Sequence, residues 1–381
     1  MSSRVPVAIV GASGYTGSEL LRILHGHPGM AVVSVTAKRA AGARLDSVFP
    51  HLRGVSDAVV ESFDADQVRA RAQVAFLALP HGEAAQVAAA LHKRGVAVVD
   101  LSADFRLREV STWQAWYGPG PSEPGGPSGP GGQAGHVGHS THPAADLLDL
   151  AVYGLPELHR ARLRQAMAQA KQHGRAPLIA VPGCYPTASV LAVAPLLSAG
   201  LVSADGLIVD AKSGVSGAGR SPGLGTHFAE IAEGLRAYKV AGTHRHTPEI
   251  EQELSGAAGK PVTLLFTPHL VPMARGILSC VYATPIGEGE PDRFRAALAA
   301  AYRDEPFVSV LAPGELPDTS HVRGSNRVHV TACYDARSRR VLAVSAIDNL
   351  VKGAAGQAVQ CANLLLGFDE TAGLLAAPMF P

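Results

Sequence analysis

Cys184 is the residue of this chain whose surroundings best suit covalent chemistry. An apolar run over residues 178–181 ends at Pro182-Gly183-Cys184-Tyr185-Pro186-Thr187, and residues 187–193 have a helical pattern. The cysteine should therefore lie at the positive end of a helix dipole, beside backbone N–H groups without partners. Such a setting lowers the pKa of a thiol and exposes the sulfur, as a covalent nucleophile requires. The alternative is a cysteine buried for structural reasons.

A second segment with chemical meaning lies near the N-terminus. The apolar run 5–10 leads into Gly11-Ala12-Ser13-Gly14-Tyr15-Thr16-Gly17, and a helical pattern follows. In such a strand–turn–helix unit, glycines let the backbone approach a pyrophosphate, which rests on the helix N-terminus. The spacing is G-x-x-G-x-x-G rather than G-x-G-x-x-G, and a glycine turn that only packs a helix on a strand would look similar. The order of the elements predicts a dinucleotide-binding loop.

The second strand, over residues 31–37, should end beside the adenosine ribose of such a cofactor. A cofactor with a free 2′-hydroxyl usually meets an acidic residue there. This chain instead has Thr36, Lys38 and Arg39. Two cations suit a 2′-phosphate, so the sequence predicts NADP(H) rather than NAD(H). The alternative is that Lys38 and Arg39 belong to a solvated loop.

Two further positions lie at the carboxyl ends of strands, where parallel sheets bind ligands. Residues 75–79 form a predicted strand that ends at Leu79 and is followed by Pro80 and His81, which we expect to contact the cofactor. Arg106 follows the strand predicted over residues 96–101 and is a candidate for binding the anionic substrate. A surface ion pair would explain Arg106 almost as well.

An acid–base group is the next requirement of a cysteine nucleophile. His244 and His246 stand just before Thr247-Pro248, on a loop that enters a helix, and Glu249 follows closely. Imidazole titrates in the useful range, and one histidine could orient the other or bind substrate. The alternative is a pair of exposed loop histidines.

The glycine-rich segment 213–220 ends in a cation. Its backbone N–H groups and one guanidinium suit a phosphate or carboxylate. The candidate substrate-binding residues are Ser213, Gly214, Gly217 and Arg220. A simple turn is the alternative.

The elements that must position these residues indicate two domains of an α/β protein. Strands and helices alternate in the first half, which predicts a Rossmann-type dinucleotide-binding domain with a parallel sheet over residues 1–183. Longer strands with fewer helices predict an α+β catalytic and dimerisation domain over 184–348, with a largely antiparallel mixed sheet. A C-terminal helix within 349–381 should pack back on the first domain. Exposed apolar sheet surface in the second domain would favour a homo-oligomer, a dimer or a tetramer.

Composition excludes several other classes of protein. The 381 residues carry a net charge of +1 and are 47% hydrophobic, with no basic block, so no nucleic-acid partner is expected. No apolar span approaches the roughly twenty residues of a membrane helix, so no membrane partner is expected either. The four cysteines lack C-x-x-C or metal spacing, which favours a reduced, cytoplasmic enzyme.

Residues 118–142 are dominated by glycine and proline, and we interpret them as a mobile surface insertion. The insertion contains His136, His139 and His142, which could suggest a metal site. Because no Cys, Asp or Glu stands nearby at ligand spacing, we favour a flexible loop and expect no metal.

Five segments together carry a family resemblance. In chain order they are Gly11-Ala12-Ser13-Gly14-Tyr15-Thr16-Gly17, Pro182-Gly183-Cys184-Tyr185-Pro186-Thr187, Ser213-Gly214-Val215-Ser216-Gly217-Ala218-Gly219-Arg220, His244-Arg245-His246-Thr247-Pro248-Glu249-Ile250 and Ile347-Asp348-Asn349-Leu350-Val351-Lys352-Gly353. From about Val5 to Gly367 the chain resembles the N-acetyl-gamma-glutamyl-phosphate reductases, relatives of the aspartate-semialdehyde dehydrogenases. The stretch between Tyr117 and Tyr153 departs from the family, in which a shorter connection is expected.

The resemblance implies a small-molecule acyl-phosphate substrate, N-acetyl-gamma-glutamyl phosphate, reduced with NADPH to the semialdehyde in arginine biosynthesis. A thiolate can capture the acyl group as a thioester, expel phosphate and present a carbonyl to the cofactor. The resemblance also makes His244 the base, with His246 and Glu249 in support, and places Asn349 near the nicotinamide. For Asn349 an Asx turn is the alternative.

Three other functions remain open from the sequence. The same chemistry could act on a related acyl phosphate, N-acetyl-aminoadipyl phosphate or aspartyl phosphate. A thiol hydrolase would use Cys184 and a histidine without any need for the glycine loop. A non-catalytic dinucleotide-binding regulator would need no reactive cysteine.

Overall fold

A computed structural model describes residues 4–118, 141–287 and 290–380, and the chain in it folds around two β-sheets. The first is six-stranded and parallel, in the order β2-β1-β3-β4-β6-β5. Its strands are Val5–Val10 (β1), Met30–Thr36 (β2), Val74–Leu77 (β3), Ala97–Asp100 (β4), Ala151–Tyr153 (β5) and Leu178–Ala180 (β6). The β3 and β4 strands are buried along their whole length, because helices cover both faces of the sheet.

The helices around the first sheet connect its strands as the alternating pattern predicts. They are Tyr15–His25 (α1), Leu45–Val48 (α2), Ala65–Arg71 (α3), Ala84–His92 (α4), Val110–Tyr117 (α5) and Pro156–Gln172 (α6). Short 3₁₀ turns lie at Pro50–Leu52 and Ala145–Leu150. This architecture brings the carboxyl ends of the parallel strands to one edge of the sheet.

The second sheet has seven strands in the order β11-β12-β13-β10-β7-β9-β8. They are Leu207–Gly214 (β7), Arg236–Ala237 (β8), Leu264–Val271 (β9), Ile277–Ala283 (β10), Val308–Val310 (β11), Val328–Asp335 (β12) and Arg340–Ile347 (β13). The pairs β7/β9 and β11/β12 are parallel and the other four are antiparallel. The predicted α/β fold class with a largely antiparallel mixed second sheet is therefore confirmed.

Helices cover one face of the second sheet. The helices after residue 183 in the described part of the chain are Cys184–Ser198 (α7), Phe228–Ile231 (α8), Thr247–Ala258 (α9), Pro291–Ala301 (α10) and Gly356–Leu366 (α11). Three 3₁₀ turns lie at Val215–Ala218, Leu224–Thr226 and Thr319–His321, and a π-helical turn lies at Val351–Ala355. The α7 helix is buried nearly all round and shares one hydrophobic core with strands of the second sheet. The opposite face of that sheet exposes Ile208 and Leu265.

The helix predicted over residues 187–193 begins earlier than expected, at Cys184. Gly183 has an extended backbone, and Pro186 falls in the first turn, where its missing N–H costs no helical hydrogen bond. The cysteine is thus the first helical residue. Further along the chain, α11 packs against α6 and contributes to the core beneath the first sheet.

The structure differs from the prediction at the C-terminal end of the segment 118–142. Residues 119–140, with His136 and His139, lie outside the described part of the chain. His142 is buried, bonds the Asp104 carbonyl through Nε2 at 2.8 Å and lies edge-on to Trp113. The prediction that His142 belongs to a mobile loop is therefore wrong, because its ring is packed and hydrogen-bonded in the first domain.

The structure also bears on metal binding and on membrane insertion. Over residues 4–118, 141–287 and 290–380, no His, Cys, Asp and Glu side chains group as they would around a metal ion. In the same part of the chain, no helix has the length and apolar character needed to cross a membrane.

Candidate active site

Cys184 and the residue before it are the centre of the candidate site. The Gly183 backbone N–H donates to Glu249 Oε1 at 2.8 Å, and the Gly183 carbonyl accepts from the Thr187 N–H at 2.9 Å. The strand β6 and the helix α7 are joined at this point, so the thiol lies at the helix N-terminus, as predicted. Neighbouring N–H groups and the helix dipole are available to negative charge that develops here.

Glu249, on α9, is the buried carboxylate that organises this junction. Besides the Gly183 N–H, Oε1 accepts the Tyr153 hydroxyl at 2.8 Å, and Oε2 pairs with Arg106 Nη1 at 3.3 Å. Burial raises the pKa of Glu249, and Arg106 and the hydrogen bonds oppose that shift. The four groups form one network that ties α9 to the start of α7.

Arg106 is anchored as firmly as its partner. Nε donates to the Val181 carbonyl and Nη2 to the Leu101 carbonyl, each at 2.8 Å, so the guanidinium spans the ends of β6 and β4. Burial is the largest single influence and would lower the pKa of Arg106, but the charge of Glu249 together with Tyr117, Tyr153 and Asp100 makes the net shift upward. The alternative of a surface ion pair is therefore not what the structure contains: Arg106 is a buried cation beside Cys184, paired with the buried Glu249.

The pKa of the thiol contradicts the prediction from sequence. Burial raises the pKa of Cys184 to about 11, although the residue keeps partial exposure and Arg106 and backbone N–H groups oppose the shift. Helix position alone therefore does not produce a thiolate, because the desolvation cost of the charged form is larger. Without bound ligands the sulfur carries its proton at neutral pH.

His244 and His246 lie side by side, with ring centroids 4.9 Å apart. His246 Nε2 abuts Gly183, since a Cβ on that glycine would lie 2.5 Å from the nitrogen. His244 packs edge-on to Tyr185, Tyr238 and Phe266. The structure therefore brings Cys184, Arg106, Glu249 and both histidines together, with His246 against the residue that precedes the cysteine.

Both imidazoles are neutral at pH 7. Burial lowers the pKa of His244 to about 3 and that of His246 well below its ordinary value, and Lys239 adds to both shifts. His244 Nδ1 accepts the His246 backbone N–H at 3.1 Å, which assigns the proton of neutral His244 to Nε2. His246 Nδ1 is buried and has no hydrogen-bond partner among the residues that the structure describes.

Sequence reasoning missed three residues of this site. The Tyr185 and Tyr238 hydroxyls are 3.2 Å apart, and Tyr185 also donates to the His269 carbonyl. Lys239 has a left-handed backbone with φ of 45°, and burial lowers its pKa. Tyr185 directly follows the cysteine in the 182–187 motif, but Tyr238 and Lys239 carry no pattern that distinguishes them from ordinary loop residues.

The glycine loop after β1 has the shape that a pyrophosphate requires. Gly11 has φ of 87°, and a Cβ there would lie 2.6 Å from the Ala78 carbonyl oxygen. Gly17 packs equally closely on Ala12, while Gly14 faces open space. The α1 helix starts at Tyr15 without a side-chain cap, so its first N–H groups are left for an anion. The loop Gly11-Ala12-Ser13-Gly14-Tyr15-Thr16-Gly17 therefore fits the phosphates of a dinucleotide.

The other predicted cofactor contacts surround this loop. The Thr36 carbonyl accepts the N–H groups of Gly11 and Ala12, while Lys38 and Arg39 are exposed just beyond it. Leu79, after β3, would contact a side chain at Gly11. Pro80 and His81 follow Leu79, and His81 pairs with Arg245, between the two histidines of the site.

The segment predicted to bind substrate divides into two parts. One part meets Asn349, the residue predicted to lie near the nicotinamide: Asn349 accepts the Gly276 N–H at 2.8 Å and donates to Ser216 at 2.9 Å, with Gly217 close by. Ser213 is buried and Gly214 packs on Ala274. Arg220 does not join the cysteine group: its guanidinium donates to the Ser13 and Val48 carbonyls and lies 4.4 Å from the Phe49 ring centre.

Comparisons with known proteins cover both halves of the chain. Residues 6–166 match the semialdehyde dehydrogenase NAD-binding domain, and residues 184–349 match the semialdehyde dehydrogenase dimerisation domain. A protein of Citrifermentans bemidjiense named N-acetyl-gamma-glutamyl-phosphate reductase is 48% identical, over 99% of this chain and 100% of its own length. One of Symbiobacterium thermophilum with the same name is also 48% identical, over 99% of both chains.

Solved structures support the fold. Aspartate semialdehyde dehydrogenase II from Vibrio cholerae superimposes with a TM-score of 0.66 at 18% identity, covering 96% of this chain and 99% of that one. Aspartate semialdehyde dehydrogenase with NADP from Candida albicans gives 0.67 at 17% identity, with the same coverage.

Proposed function

The chain belongs to the semialdehyde dehydrogenase family and, within it, to the N-acetyl-gamma-glutamyl-phosphate reductases, and from this membership we propose its reaction. The enzyme reduces N-acetyl-gamma-glutamyl phosphate to N-acetylglutamate semialdehyde and releases phosphate, a step of arginine biosynthesis. The observation that carries the proposal is the convergence of Cys184, His246 and the Arg106–Glu249 pair at the start of α7. NADPH, when bound along the glycine loop, supplies the hydride.

Acylation begins from two neutral groups. Because burial keeps both the Cys184 thiol and the imidazoles uncharged, an imidazole must take the thiol proton as the sulfur attacks the acyl carbon. The new S–C bond forms and the bond from carbon to the phosphate oxygen breaks, so phosphate leaves and a thioester remains on Cys184. The proton removed from sulfur stays on the imidazole.

Deacylation reverses the role of the imidazole. When the thioester carbonyl has been reduced to the oxyanion of a tetrahedral thiohemiacetal, the carbonyl forms again, the S–C bond breaks and the semialdehyde leaves. The sulfur then recovers its proton from the imidazolium. The N–H groups at the start of α7 and the Arg106 charge stabilise the negative charge that develops at oxygen and sulfur.

Between the two histidines, His246 is the better candidate for the base. His244 Nδ1 is occupied by a backbone N–H, so Nε2 of the neutral ring is a donor and suits an oxyanion. His246 has an unpartnered Nδ1 and places Nε2 against Gly183. This assignment exchanges the roles that the family resemblance gave to His244 and His246 and keeps Glu249 as support.

The charge around the cysteine suits an acyl phosphate. The positive charges of Arg106, Lys239 and Arg245 each lower the pKa of the thiol or of a buried histidine. The negative charge of Glu249 opposes them at the thiol. A phosphate dianion with a carboxylate would be attracted by this excess of cations. Ser213, Gly214 and Gly217 remain candidates for holding the rest of the substrate.

Three further expectations complete the proposal. Lys38 and Arg39 make NADPH the preferred cofactor. Residues 184–348 form the catalytic and dimerisation domain, 1–183 with 349–381 the dinucleotide-binding domain, and the open sheet face with Ile208 and Leu265 is covered in a homo-oligomer. All four cysteines are free, in keeping with a cytoplasmic enzyme.

The reverse reaction tests this function directly. N-acetylglutamate semialdehyde, phosphate and NADP⁺ should yield NADPH, and Cys184→Ser or iodoacetamide should reduce the rate about a thousandfold or more. Cys333→Ser, at an exposed cysteine, is the control and should keep the rate.

The outcomes separate the alternatives. Full activity in Cys184→Ser would end the thioester proposal. Failure to quench NADPH fluorescence on titration would favour a thiol hydrolase, and binding without turnover would favour a regulator. A higher kcat/KM with N-acetyl-aminoadipate or aspartate semialdehyde would reassign the substrate.

A further inference from the structure

A π-helical turn, Val351–Ala355, lies directly against the start of α7. The Gly353 N–H donates to the Asp348 carbonyl at 2.9 Å and the Ala355 N–H to the Leu350 carbonyl at 2.8 Å, each five residues back. Such turns are rare in proteins, and those that occur often lie at functional sites. The turn follows β13 and precedes α11, so it connects the two sheets at the level of the cysteine.

Buried ionic groups hold this turn in place. The Asp348 carboxylate accepts the Leu350 N–H at 2.8 Å and the Gly324 N–H at 2.7 Å. Lys352 donates to Glu157 at 2.6 Å, and both side chains are fully buried. Removing one partner of a buried pair is strongly destabilising, so the turn is firmly anchored to α6.

Gly353 is the point at which the turn meets the cysteine. A Cβ on Gly353 would lie 2.7 Å from Cys184 Cβ and 3.2 Å from its Cα. On the other flank, a Cβ on Gly183 would lie 2.5 Å from His246 Nε2 and 2.9 Å from Arg106 Nη1. Cys184, the first residue of α7, is therefore packed against Gly353. The preceding residue, Gly183, is packed against the proposed base, His246.

We propose that Gly353 is a positioning residue, which sets where the Cys184 sulfur lies by direct backbone contact with its Cβ. The inference rests on the proposed function, because it assigns Gly353 to the nucleophile of that reaction. No rotamer of Cys184 relieves the contact, since its Cβ and Cα do not move with χ1. Any side chain at 353 must therefore displace the start of α7 or the π-helical turn.

A displacement of this kind should lower the rate more than the affinity for cofactor. Misplacing a reacting atom by about 1 Å can cost about a hundredfold in rate. We expect Gly353→Ala to lower kcat about tenfold to a hundredfold when the rate is divided by the amount of reactive Cys184 thiol. The KM for NADPH should be unchanged. Gly256→Ala is the matched control, because Gly256 is also helical and a Cβ there meets nothing within 4 Å.

A stability cycle tests the contact without relying on activity. Gly353→Ala should lower Tm in the wild-type background and lower it by less in Cys184→Gly, which lacks the opposing Cβ. Equal losses in both backgrounds would show that another contact is responsible. If Gly353→Ala is too unstable to isolate while Cys184→Gly/Gly353→Ala folds, the contact is supported.

The two proposals fail in distinguishable ways. Reductase activity in Cys184→Ser would overturn the proposed function, whatever Gly353→Ala does. An inactive Cys184→Ser together with wild-type kcat per titrated thiol in Gly353→Ala would overturn only the positioning role. Loss of folded protein alone would leave the rate per titrated thiol unchanged, so that readout separates positioning from a merely structural effect.

Discussion

Glu249 Oε1 accepts the Gly183 backbone N–H at 2.8 Å, one residue before Cys184. The bond joins α9, which follows the two histidines, to the N-terminus of the helix that carries the thiol. Because the other Glu249 oxygen pairs with Arg106, a single carboxylate fixes both the nucleophile's backbone and the nearest cation. The precision of the site therefore depends on a residue that need not touch substrate.

Replacing Glu249 with Gln should expose this dependence. The amide keeps one acceptor but removes the carboxylate charge that pairs with the buried Arg106, so we expect stability to fall by about 3 kcal/mol. Losing hydrogen bonds to a charged group should lower kcat/KM roughly tenfold to a hundredfold. Urea unfolding and steady-state kinetics measure the two effects, with the exposed Glu290→Gln as control. Wild-type kinetics in a destabilised Glu249→Gln would contradict the positioning role.

Features encoded within one short segment could be predicted from the sequence. The strand, glycine loop and helix around Gly14 are contiguous, and both the positive φ of Gly11 and the packing of Gly17 on Ala12 arise within this segment. The start of α7 at a Gly-Cys-Tyr-Pro segment is local for the same reason. Backbone chemistry decides such features before any tertiary contact forms.

Features that depend on distant contacts could not be predicted. Arg106 and Glu249 are 143 residues apart, and no spacing rule connects them. The raised pKa of Cys184 depends on how much protein surrounds the sulfur, which the helix position does not reveal. The glycine-rich pattern predicts that Arg220 binds substrate, yet its contacts lie 172 and 207 residues away, on Val48 and Ser13.

The raised pKa of Cys184 predicts the pH dependence of its alkylation. With a pKa of about 11, the thiolate is about one part in ten thousand at pH 7 and increases tenfold with each pH unit. The rate of iodoacetamide labelling of the free enzyme should therefore rise steadily from pH 7 to about 10. Mass spectrometry of the Cys184 peptide measures it, and Cys184→Ser corrects for the other cysteines. A plateau below pH 8 would show that the thiol is already ionised near neutrality.

Removing the cations after β2 should reduce discrimination between cofactors. Lys38 and Arg39 are exposed beyond Thr36, and a 2′-phosphate would gain charged hydrogen bonds from them. Lys38→Ser/Arg39→Ser should raise the KM for NADPH about tenfold or more, with the KM for NADH unchanged. Lys93→Ser, at another exposed lysine, controls for the lost charge. Equal changes with both cofactors, or a wild-type preference for NADH, would contradict the assignment.

Arg220→Ala distinguishes the two possible roles of that side chain. Its donors bind the Ser13 carbonyl at 3.2 Å and the Val48 carbonyl at 2.9 Å, so the structure predicts that its loss loosens the glycine loop. The KM for NADPH should rise about fivefold, more than that for the acyl phosphate. The exposed Arg337→Ala is the control. A selective effect on the acyl phosphate would restore the role expected from the glycine-rich pattern.

Replacing the two histidines should slow the reaction in different ways. His246→Asn removes the proposed base, so single-turnover formation of the thioester should slow about a hundredfold or more. His244→Asn removes the proposed donor to the oxyanion, and a lost donor of this kind costs about a hundredfold in kcat. Because both rings are neutral at pH 7, the acylation rate of the wild type should fall only as an imidazole becomes protonated, well below pH 6.5. Rapid-quench measurement of acyl-enzyme, compared with the rate of NADPH oxidation, separates the steps. If His244→Asn abolishes acylation while His246→Asn leaves it intact, the base is His244 and the tautomer argument from its Nδ1 contact is wrong.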